Sequence, residues 1–372
     1  MVARIEKRDV RDFDWLTALL AVAIAAFGVW QIHNALPSEG YWSKQILGIG
    51  IALVAFFVVA FNDYRRIIDA APFFYGFGLI LLLLVLTPLG VEVNGQKAWV
   101  RLPVVGQFQP SEFVKIPTVL MLAKYFGGRK AKDLSLREML IGGAILAGPV
   151  GLIMLEPDAG QAITYFPILA AVLFLSAIKM RYVVITLVLA AVLVPTAYYV
   201  GVQSGFIKRY QQERINAILD PESVDPRGYG YHTIQSMITV GKGGLAGNQG
   251  DTDTSQSVLK FLPEPHTDFI FAVTAENTGF IGCISLLLAY ALLLSRMIAG
   301  AREASDRAGM LVIMSIVCGM VFQIFINVGM ALGFLPVIGV PLPLMSAGLS
   351  AILSTFIAIG FVVSVRLRRF VN

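Results

Sequence analysis

The chain has 372 residues, of which 57% are hydrophobic and only 14% are charged, and its formal net charge is +5. Soluble domains have roughly 45–50% apolar and about 25% charged residues, so this composition excludes a disordered chain, a nucleic-acid-binding module and a water-soluble enzyme. The mean hydropathy of +0.74 instead indicates an integral membrane protein built of helices. Cys283 and Cys318 lie in apolar runs, where we expect packed thiols rather than a disulfide.

Ten apolar segments are candidates for membrane-spanning helices. They run over 15–35, 43–62, 70–90, 111–127, 139–155, 161–178, 182–201, 268–295, 309–333 and 341–365. The eighth segment is long enough to be tilted or to extend beyond the bilayer. We therefore predict an all-α polytopic membrane protein with one membrane domain over 1–372, about ten transmembrane helices, and a large loop, 202–267, between helices 7 and 8.

The basic residues are distributed unevenly around these segments. Most of the 29 Lys and Arg residues flank one set of segment ends, whereas the short loops at the opposite ends hold few, among them Lys97 and Arg101. The positive-inside tendency therefore predicts that both termini are cytoplasmic. The loops 91–111, 156–160 and 202–267 then share the extracytoplasmic side, where any chemistry common to them takes place.

Charged residues inside or beside apolar segments are expensive in a bilayer and mark candidate functional sites. Glu112 and Lys115 are three residues apart, so on a helix they share a face and can form an ion pair. Glu156 and Asp158 lie in a connection that contains Pro and Gly, between two apolar runs. Two interpretations stay open for each group. Glu112 and Lys115 form either a purely structural ion pair or part of a functional site. Glu156 and Asp158 form either a turn with a helix cap or the lining of a cavity, where Asp158 is a candidate to hold a cation.

A further carboxylate, Asp268, follows a rigid Pro-x-Pro turn and is predicted to fall in the first turn of the eighth segment. Free N–H groups and the helix dipole favour a negative charge there. A carboxylate held ionised at the membrane face suits a general base, and a simple helix cap is the alternative.

Three prolines and a glycine lie at membrane depth within 335–346. Irregular backbone at that depth must be covered by protein or line a water-filled cavity. We interpret this stretch as a re-entrant or broken-helix element, with a tight extracytoplasmic turn as the alternative.

The long loop contains a basic stretch, 207–215, whose surrounding apolar residues follow helical spacing roughly. It fits an amphipathic helix on the outer interface, and basic residues such as Arg214 are candidates to meet phosphate groups. A solvated helix is the alternative. Because the chain has no nucleotide-binding motif and no serine-hydrolase elbow, two classes remain. These are a membrane enzyme acting on an amphiphile at the outer leaflet, and a transporter with broken helices, for which no inverted repeat is evident.

The polar motifs together resemble those of the SEDS family, the polytopic glycosyltransferases of bacterial shape, elongation, division and sporulation. The most specific match is FLPEPHTDFIFAVTAE at 261–276, whose final residues are more similar to the elongation branch than to the division branch. The other matches are FQPSEF at 108–113 with Lys115, EPDxG at 156–160, LDP at 219–221, DPxGYGY at 225–231, Gln235-Ser236, GKGG at 241–244 and PxxGxPxP at 336–343.

The resemblance implies an enzyme of the bacterial cytoplasmic membrane that polymerises lipid II, a disaccharide-pentapeptide on undecaprenyl pyrophosphate, at the outer leaflet. It also implies a class B penicillin-binding transpeptidase and the elongation machinery as partners. Asp268 matches the family's essential aspartate. The residues predicted to bind substrate are Trp99, Lys97, Arg101, Glu112, Lys115, Asp158, Arg214, His266 and Thr267. One departure is Ala98, where the family usually has an Arg before this Trp, so Lys97 is expected to supply the charge.

The mechanism expected from this resemblance is a single inverting displacement, because the donor bond is α and the product bond is β. Asp268 would take the proton of the attacking sugar hydroxyl, and cationic side chains would face the pyrophosphate leaving group. A divalent cation, Mg or Mn, near Asp158 is a further expectation. A lipid II flippase and a non-catalytic scaffold for the transpeptidase are the alternative functions.

Overall fold

The structure is a computed structural model that describes residues 12–93, 96–102, 106–129, 133–205, 212, 229–248 and 255–369. Its helices are α1 (Trp15–Ala35), α2 (Tyr41–Phe61), α3 (Tyr64–Asp69), α4 (Ala71–Leu86), α5 (Pro110–Gly127), α6 (Leu136–Leu155), α7 (Ala159–Ile163), α8 (Phe166–Leu175), α9 (Met180–Gln203), α10 (Tyr229–Lys242), α11 (Ile270–Arg302), α12 (Arg307–Ala331) and α13 (Leu349–Leu367). Strands β1 (Gly90–Val93), β2 (Gln96–Leu102) and β3 (Gly106–Phe108) lie between α4 and α5.

The prediction of a polytopic helical membrane protein is confirmed. Within the described residues, seven helices are long and apolar enough to cross a membrane: α1, α2, α6, α9, α11, α12 and α13. Two shorter apolar stretches, α4 and α7 with α8, add to them. The predicted segment 111–127 corresponds to α5, whose acidic and basic residues lower its hydropathy.

The core of the bundle is formed by helices that approach closely through small residues, as is usual in membranes. A Cβ on Gly360 of α13 would lie 2.9 Å from the carbonyl oxygen of Phe56 in α2. A Cβ on Gly309 of α12 would lie 2.9 Å from Val365 of α13. In contrast, α9 exposes large apolar side chains along its length, which suits a lipid-facing surface.

One end of the bundle is closed by an ion-pair network that joins the start of α1 to the end of α13. Asp14 caps α1 and pairs with Arg296 at 3.0 Å and also with Arg366. Glu303 pairs with Arg366 at 3.2 Å and with Arg369 at 3.0 Å. The first and last helices therefore meet at the same end of the molecule, as the prediction for the termini requires.

The prediction of an all-α chain is wrong for the first long connection. Helix α4 ends at Leu86, and β1, β2 and β3 form an antiparallel sheet in the order β1-β2-β3. Val91 faces Trp99 across the first pair, and Arg101 faces Gln107 across the second. The β-branched and aromatic residues of 91–101 favour strands, and three short strands can pair locally between two helices.

The last predicted segment, 341–365, is helical only from Leu349. Residues 335–348, here named the proline segment, form no helix, although they are covered by protein and Val340, Leu342, Leu344 and Met345 are buried. The prediction of irregular backbone covered by protein is confirmed, but the element is an extended connection rather than a re-entrant helix. Prolines at 336, 341 and 343 lack the N–H groups that a helix needs.

The eighth segment forms the longest helix, α11, and its length has a different origin from tilt. Gly279 has φ +65° and ψ −166°, so the helix is broken there. The N–H of Phe280 donates to the carbonyl of Gly244 at 2.9 Å, and that of Ile281 to Leu245 at 3.1 Å. The loop after α10 therefore satisfies donors that the break would otherwise leave unpaired.

Two further sequence predictions meet different outcomes. Cys283 and Cys318 are free thiols, as expected. Helix α10, within the long loop, was not predicted; Ser236 anchors it by donating to the carbonyl of Ala331 at 2.9 Å. The basic stretch 207–215, including Arg214, lies outside the described residues apart from Gln212.

Candidate active site

Asp268 lies just before α11 rather than in its first turn. The helix begins at Ile270, and Phe269 occupies the N-cap position without a side-chain cap. The N–H groups of Thr267 and Phe269 both donate to the carbonyl of Glu264, at 3.3 and 3.4 Å, so a tight turn precedes the helix. The predicted position in the first turn is therefore wrong, and the half-buried Asp268 belongs to the turn before the helix.

This turn is fastened to the proline segment through backbone carbonyls. The N–H of Ala347 donates to the carbonyl of His266 at 2.8 Å. The hydroxyl of Ser346 donates to the carbonyl of Thr267 at 2.6 Å. Ser346 in turn accepts from the N–H of Leu342 at 2.8 Å. The backbone before Asp268 is thus fixed by contacts that do not use its carboxylate.

His266 packs against the start of α2, and the carboxylates of Glu264 and Glu39 are near enough to favour its charged form. Its ring lies against Tyr41, with centroids 4.1 Å apart and planes at 31°. Burial lowers the pKa of His266 below its usual range, so the ring is neutral at pH 7. The hydroxyl of Thr267 donates to the carbonyl and the carboxylate of Glu264, both at 3.4 Å. In this arrangement His266 and Thr267 shape the turn.

Asp158 lies in a second turn and is only 3% exposed. It caps α7, because its Oδ1 accepts from the N–H of Gln161 at 3.0 Å. Its Oδ2 accepts from Nε2 of Gln109 at 3.0 Å. Burial raises the pKa of Asp158 to about 6, although these hydrogen bonds oppose the rise. The helix-cap interpretation of this carboxylate is therefore confirmed.

A polar chain runs from Asp158 into the membrane bundle. Nε2 of Gln161 donates to Oε1 of Glu112 at 2.6 Å. Oε2 of Glu112 pairs with Nζ of Lys115 at 3.0 Å, as the three-residue spacing predicts. Both side chains line a partly open cavity between α5, α8, α12 and α13, whose other walls are mainly apolar. The cavity thus combines an apolar wall with one buried ion pair, as a site for an amphiphile requires.

Glu156, beside Asp158, has no exposed surface, and neither of its carboxylate oxygens has a hydrogen-bond partner among the described residues. It lies in the connection between α6 and α7, outside either helix. Burial, with the charge of Asp158, raises the pKa of Glu156 to about 8. The side chain is therefore mostly protonated at pH 7, and it is not a suitable general base.

The proline segment lies against both turns. A Cβ on Gly160 would lie 1.9 Å from the carbonyl oxygen of Ile338, so only glycine allows this approach. The next residue, Gly339, has φ +72°, and a Cβ there would lie 3.6 Å from Oδ2 of Asp268. Residues 338 and 339 therefore connect the Asp158 turn to the Asp268 turn.

The sheet carries the remaining predicted residues, Lys97, Trp99 and Arg101, all on β2. Lys97 faces Glu92 and Trp99 faces Val91, so a β-bulge at the buried Ala98 interrupts the alternation of faces between them. Nζ of Lys97 donates to the carbonyl of Leu86 at 3.4 Å, at the end of α4, while Arg101 is exposed. The structure thus groups these three residues with one another; it brings Glu112, Lys115 and Asp158 together separately, and Arg214 is outside its described part.

Sequence reasoning missed the uncharged residues that connect this site. Gln109, Gln161 and Ser346 link the carboxylates or fasten their turns. Their signal was present, because amide and hydroxyl side chains beside apolar runs need partners. They were missed because the sequence was searched for charged residues, and these three side chains are uncharged.

A resident cation at Asp158 does not fit the described residues. Among them, no group of three or more His, Cys, Asp and Glu side chains is arranged to hold a metal ion. Both oxygens of Asp158 already accept hydrogen bonds from amide groups.

The helical bundle, the buried ion pair and the two carboxylate turns define a polytopic membrane protein with a cluster of polar side chains enclosed between its helices. A family model described as a cell cycle protein and named for FtsW, RodA and SpoVE matches residues 13–369, so the chain belongs to this family. It is 36% identical over 362 residues to the peptidoglycan glycosyltransferase MrdB of Escherichia coli K12, covering 97% of this chain and 95% of that protein.

Solved structures support the same assignment. One, described as the structural coordination of polymerization and crosslinking by a peptidoglycan synthase complex, contains a chain that is 34% identical with a TM-score of 0.82, covering 97% of this chain and 99% of that one. The rod shape determining protein RodA of Thermus thermophilus is 28% identical with a TM-score of 0.72, covering 97% of this chain and 98% of that one.

Proposed function

We propose that this protein is a peptidoglycan glycosyltransferase that polymerises lipid II into glycan strands during cell-wall elongation. The observation that carries the proposal is similarity over nearly the whole chain to a peptidoglycan glycosyltransferase, 36% identity over 97% of this sequence. Similarity to a chain of a peptidoglycan synthase complex supports a class B penicillin-binding transpeptidase as its partner.

The proposed orientation has both termini in the cytoplasm, about ten spans in the cytoplasmic membrane, and the active site on the outer side. The meeting of Asp14 with Arg366 supports placing the two termini on the same side. The positive-inside tendency supports assigning that side to the cytoplasm.

Asp268 is the proposed general base. The acceptor sugar hydroxyl attacks the anomeric carbon of the donor and passes its proton to the Asp268 carboxylate. The new glycosidic bond forms as the bond to undecaprenyl pyrophosphate breaks, and the pyrophosphate leaves with the bonding electrons. Inversion in one step needs no covalent enzyme intermediate. The turn supports this role, because backbone carbonyls hold it and leave Asp268 only half-buried.

The cavity between α5, α8, α12 and α13 is the proposed site for part of the lipid-linked substrate. Its apolar walls suit a polyprenyl chain, and the Glu112–Lys115 pair supplies polar contacts at its edge. Arg101, which is exposed, and Arg214 are the proposed cations for the pyrophosphate, while Lys97 and Trp99 lie on the same strand as Arg101, β2.

The test uses full-length protein reconstituted in liposomes together with its partner transpeptidase. Fluorescent lipid II is supplied, and products are resolved as glycan ladders. Wild type is expected to produce long strands, whereas Asp268→Asn is expected to produce at least about 100-fold less product, the usual loss when a general base is removed. Binding to the transpeptidase and the melting temperature (Tm) are measured for both proteins as folding controls.

Other outcomes reject specific parts of the proposal. Lipid II that crosses the membrane without strand formation would indicate a flippase. Strands formed equally by Asp268→Asn would remove Asp268 from the mechanism. A reaction that contains the transpeptidase alone measures any contaminating polymerase activity. If all strand formation came from that contaminant, this chain would be a non-catalytic scaffold.

A further inference from the structure

Three consecutive backbone carbonyls fix the position of Asp268. Those of His266 and Thr267 accept from Ala347 and Ser346 of the proline segment. The third, that of Asp268 itself, accepts from Nδ2 of Asn327 at 2.9 Å. Asn327 belongs to α12, so the last of these contacts comes from a different element.

The amide of Asn327 uses both of its hydrogens. Nδ2 also donates to the carbonyl of Val340 at 2.9 Å. Val340 follows Gly339, where a Cβ would lie 3.6 Å from Oδ2 of Asp268. The Asn327 side chain therefore sets the distance between the backbone at Asp268 and the backbone of the proline segment at Val340.

The burial of Asn327 indicates that these two bonds matter. The side chain has no exposed surface, and its Oδ1 has no hydrogen-bond partner among the described residues. An unsatisfied buried acceptor destabilises the folded state. The reversed amide would place this oxygen against two carbonyl oxygens, so the orientation with Nδ2 between them is favoured. An apolar residue at this position in the largely apolar α12 would avoid the cost but lose both hydrogen bonds.

We propose that Asn327 is a positioning residue that holds Asp268 in its productive place. It acts through the backbone of residue 268 and does not contact substrate. The inference rests on the proposed function, because it assumes that Asp268 is the base of the polymerase. Small displacements of a reacting group are costly, and about 1 Å can lower a rate 100-fold.

The test compares Asn327→Leu with the matched control Asn277→Leu. Asn277 is also a buried asparagine, and its Nδ2 donates to Gln31 at 2.9 Å, away from Asp268. Both changes remove a buried donor and are expected to lower Tm. We expect Asn327→Leu to lower kcat about 10- to 100-fold with KM for lipid II within twofold, and Asn277→Leu to leave both within about threefold.

A double-mutant cycle separates positioning from loss of folded enzyme. If Asn327 acts through the base, Asn327→Leu costs less than about twofold when residue 268 is already Asn. If it only reduces the folded fraction, its loss multiplies with that of Asp268→Asn, and the inference is overturned. Equal losses from Asn277→Leu and Asn327→Leu would overturn it as well.

The same reactions show which proposal has failed. Wild type that forms no strands rejects the proposed function. Wild type that forms strands, with Asp268→Asn at least about 100-fold slower and the cycle multiplicative, rejects only the role of Asn327.

Discussion

The two carboxylate turns contact the same segment but are held in opposite ways. Asp158 fastens its own turn, since both of its oxygens accept hydrogen bonds and the residue is 3% exposed. The Asp268 turn is fastened by backbone carbonyls, and Asp268 remains half-buried beside Gly339.

This difference bears on the chemistry available to each group. Protonation of Asp158 would weaken two hydrogen bonds that hold α7 and Gln109, so proton transfer there would disturb the fold. The backbone contacts of the Asp268 turn remain in place when its carboxylate gains a proton. A fixed backbone with a reactive side chain is the arrangement expected of a base.

The largest predicted difference between the turns is in catalysis. Asp268→Asn is expected to reduce strand formation about 10²- to 10⁴-fold, and Asp158→Asn at most about tenfold. Initial rates of lipid II polymerisation measure both. Equal losses would mean that Asp158 also takes part in proton transfer and would break the comparison.

The buried pair next to the Asp158 turn predicts the largest change in stability. Glu112→Gln leaves Lys115 without its charged partner, and breaking a buried ion pair costs about 3–5 kcal/mol. Thermal unfolding in detergent should show a Tm lowered by several degrees. The double variant Glu112→Gln/Lys115→Met removes both charges and should recover most of the loss. A single variant as stable as wild type would show that water already screens the pair.

Glu156 provides a pH test within the same turn. Its pKa is raised to about 8 in the folded protein from an ordinary value of 4.5, so the folded state retains a proton that the unfolded state loses. Stability from this group is therefore highest below about pH 4.5, falls as the pH rises, and levels off above pH 8.

Glu156→Gln removes this titration without changing the shape of the side chain. We expect the variant to be within about 1 kcal/mol of wild type in unfolding free energy at pH 5 and to exceed it by about 4 kcal/mol at pH 8. Asp268→Asn at the other turn is the comparison for the pH series. A Tm difference that does not change with pH would mean that Glu156 is ionised in the folded state.

Hydropathy predicted the spans well because membrane helices must satisfy their own backbone and be apolar. The Glu112–Lys115 pair also followed directly from spacing on a helix. The break at Gly279 had no comparable signal, because it depends on residues 244 and 245, which are distant in sequence.

The uncharged part of the site could not be predicted for a related reason. Asn327 is one polar residue in an apolar helix, and its importance arises from two carbonyls, at 268 and 340, that only the folded chain brings together. The sheet of β1, β2 and β3 was not predicted, because its short strands lie between two strongly helical segments.

The smallest predicted effect concerns the cap formed by Asp158. Asp158→Ala removes the acceptor for the N–H of Gln161 and should cost about 1 kcal/mol, as is usual for the loss of a helix N-cap. Asp158→Asn keeps an oxygen for that N–H, and Gln109 can rotate its amide to present an acceptor, so most of the stability should remain. Thermal unfolding at pH 7 measures both variants. If Asn were as damaging as Ala, the negative charge of Asp158 rather than its hydrogen bond to Gln161 would hold this turn.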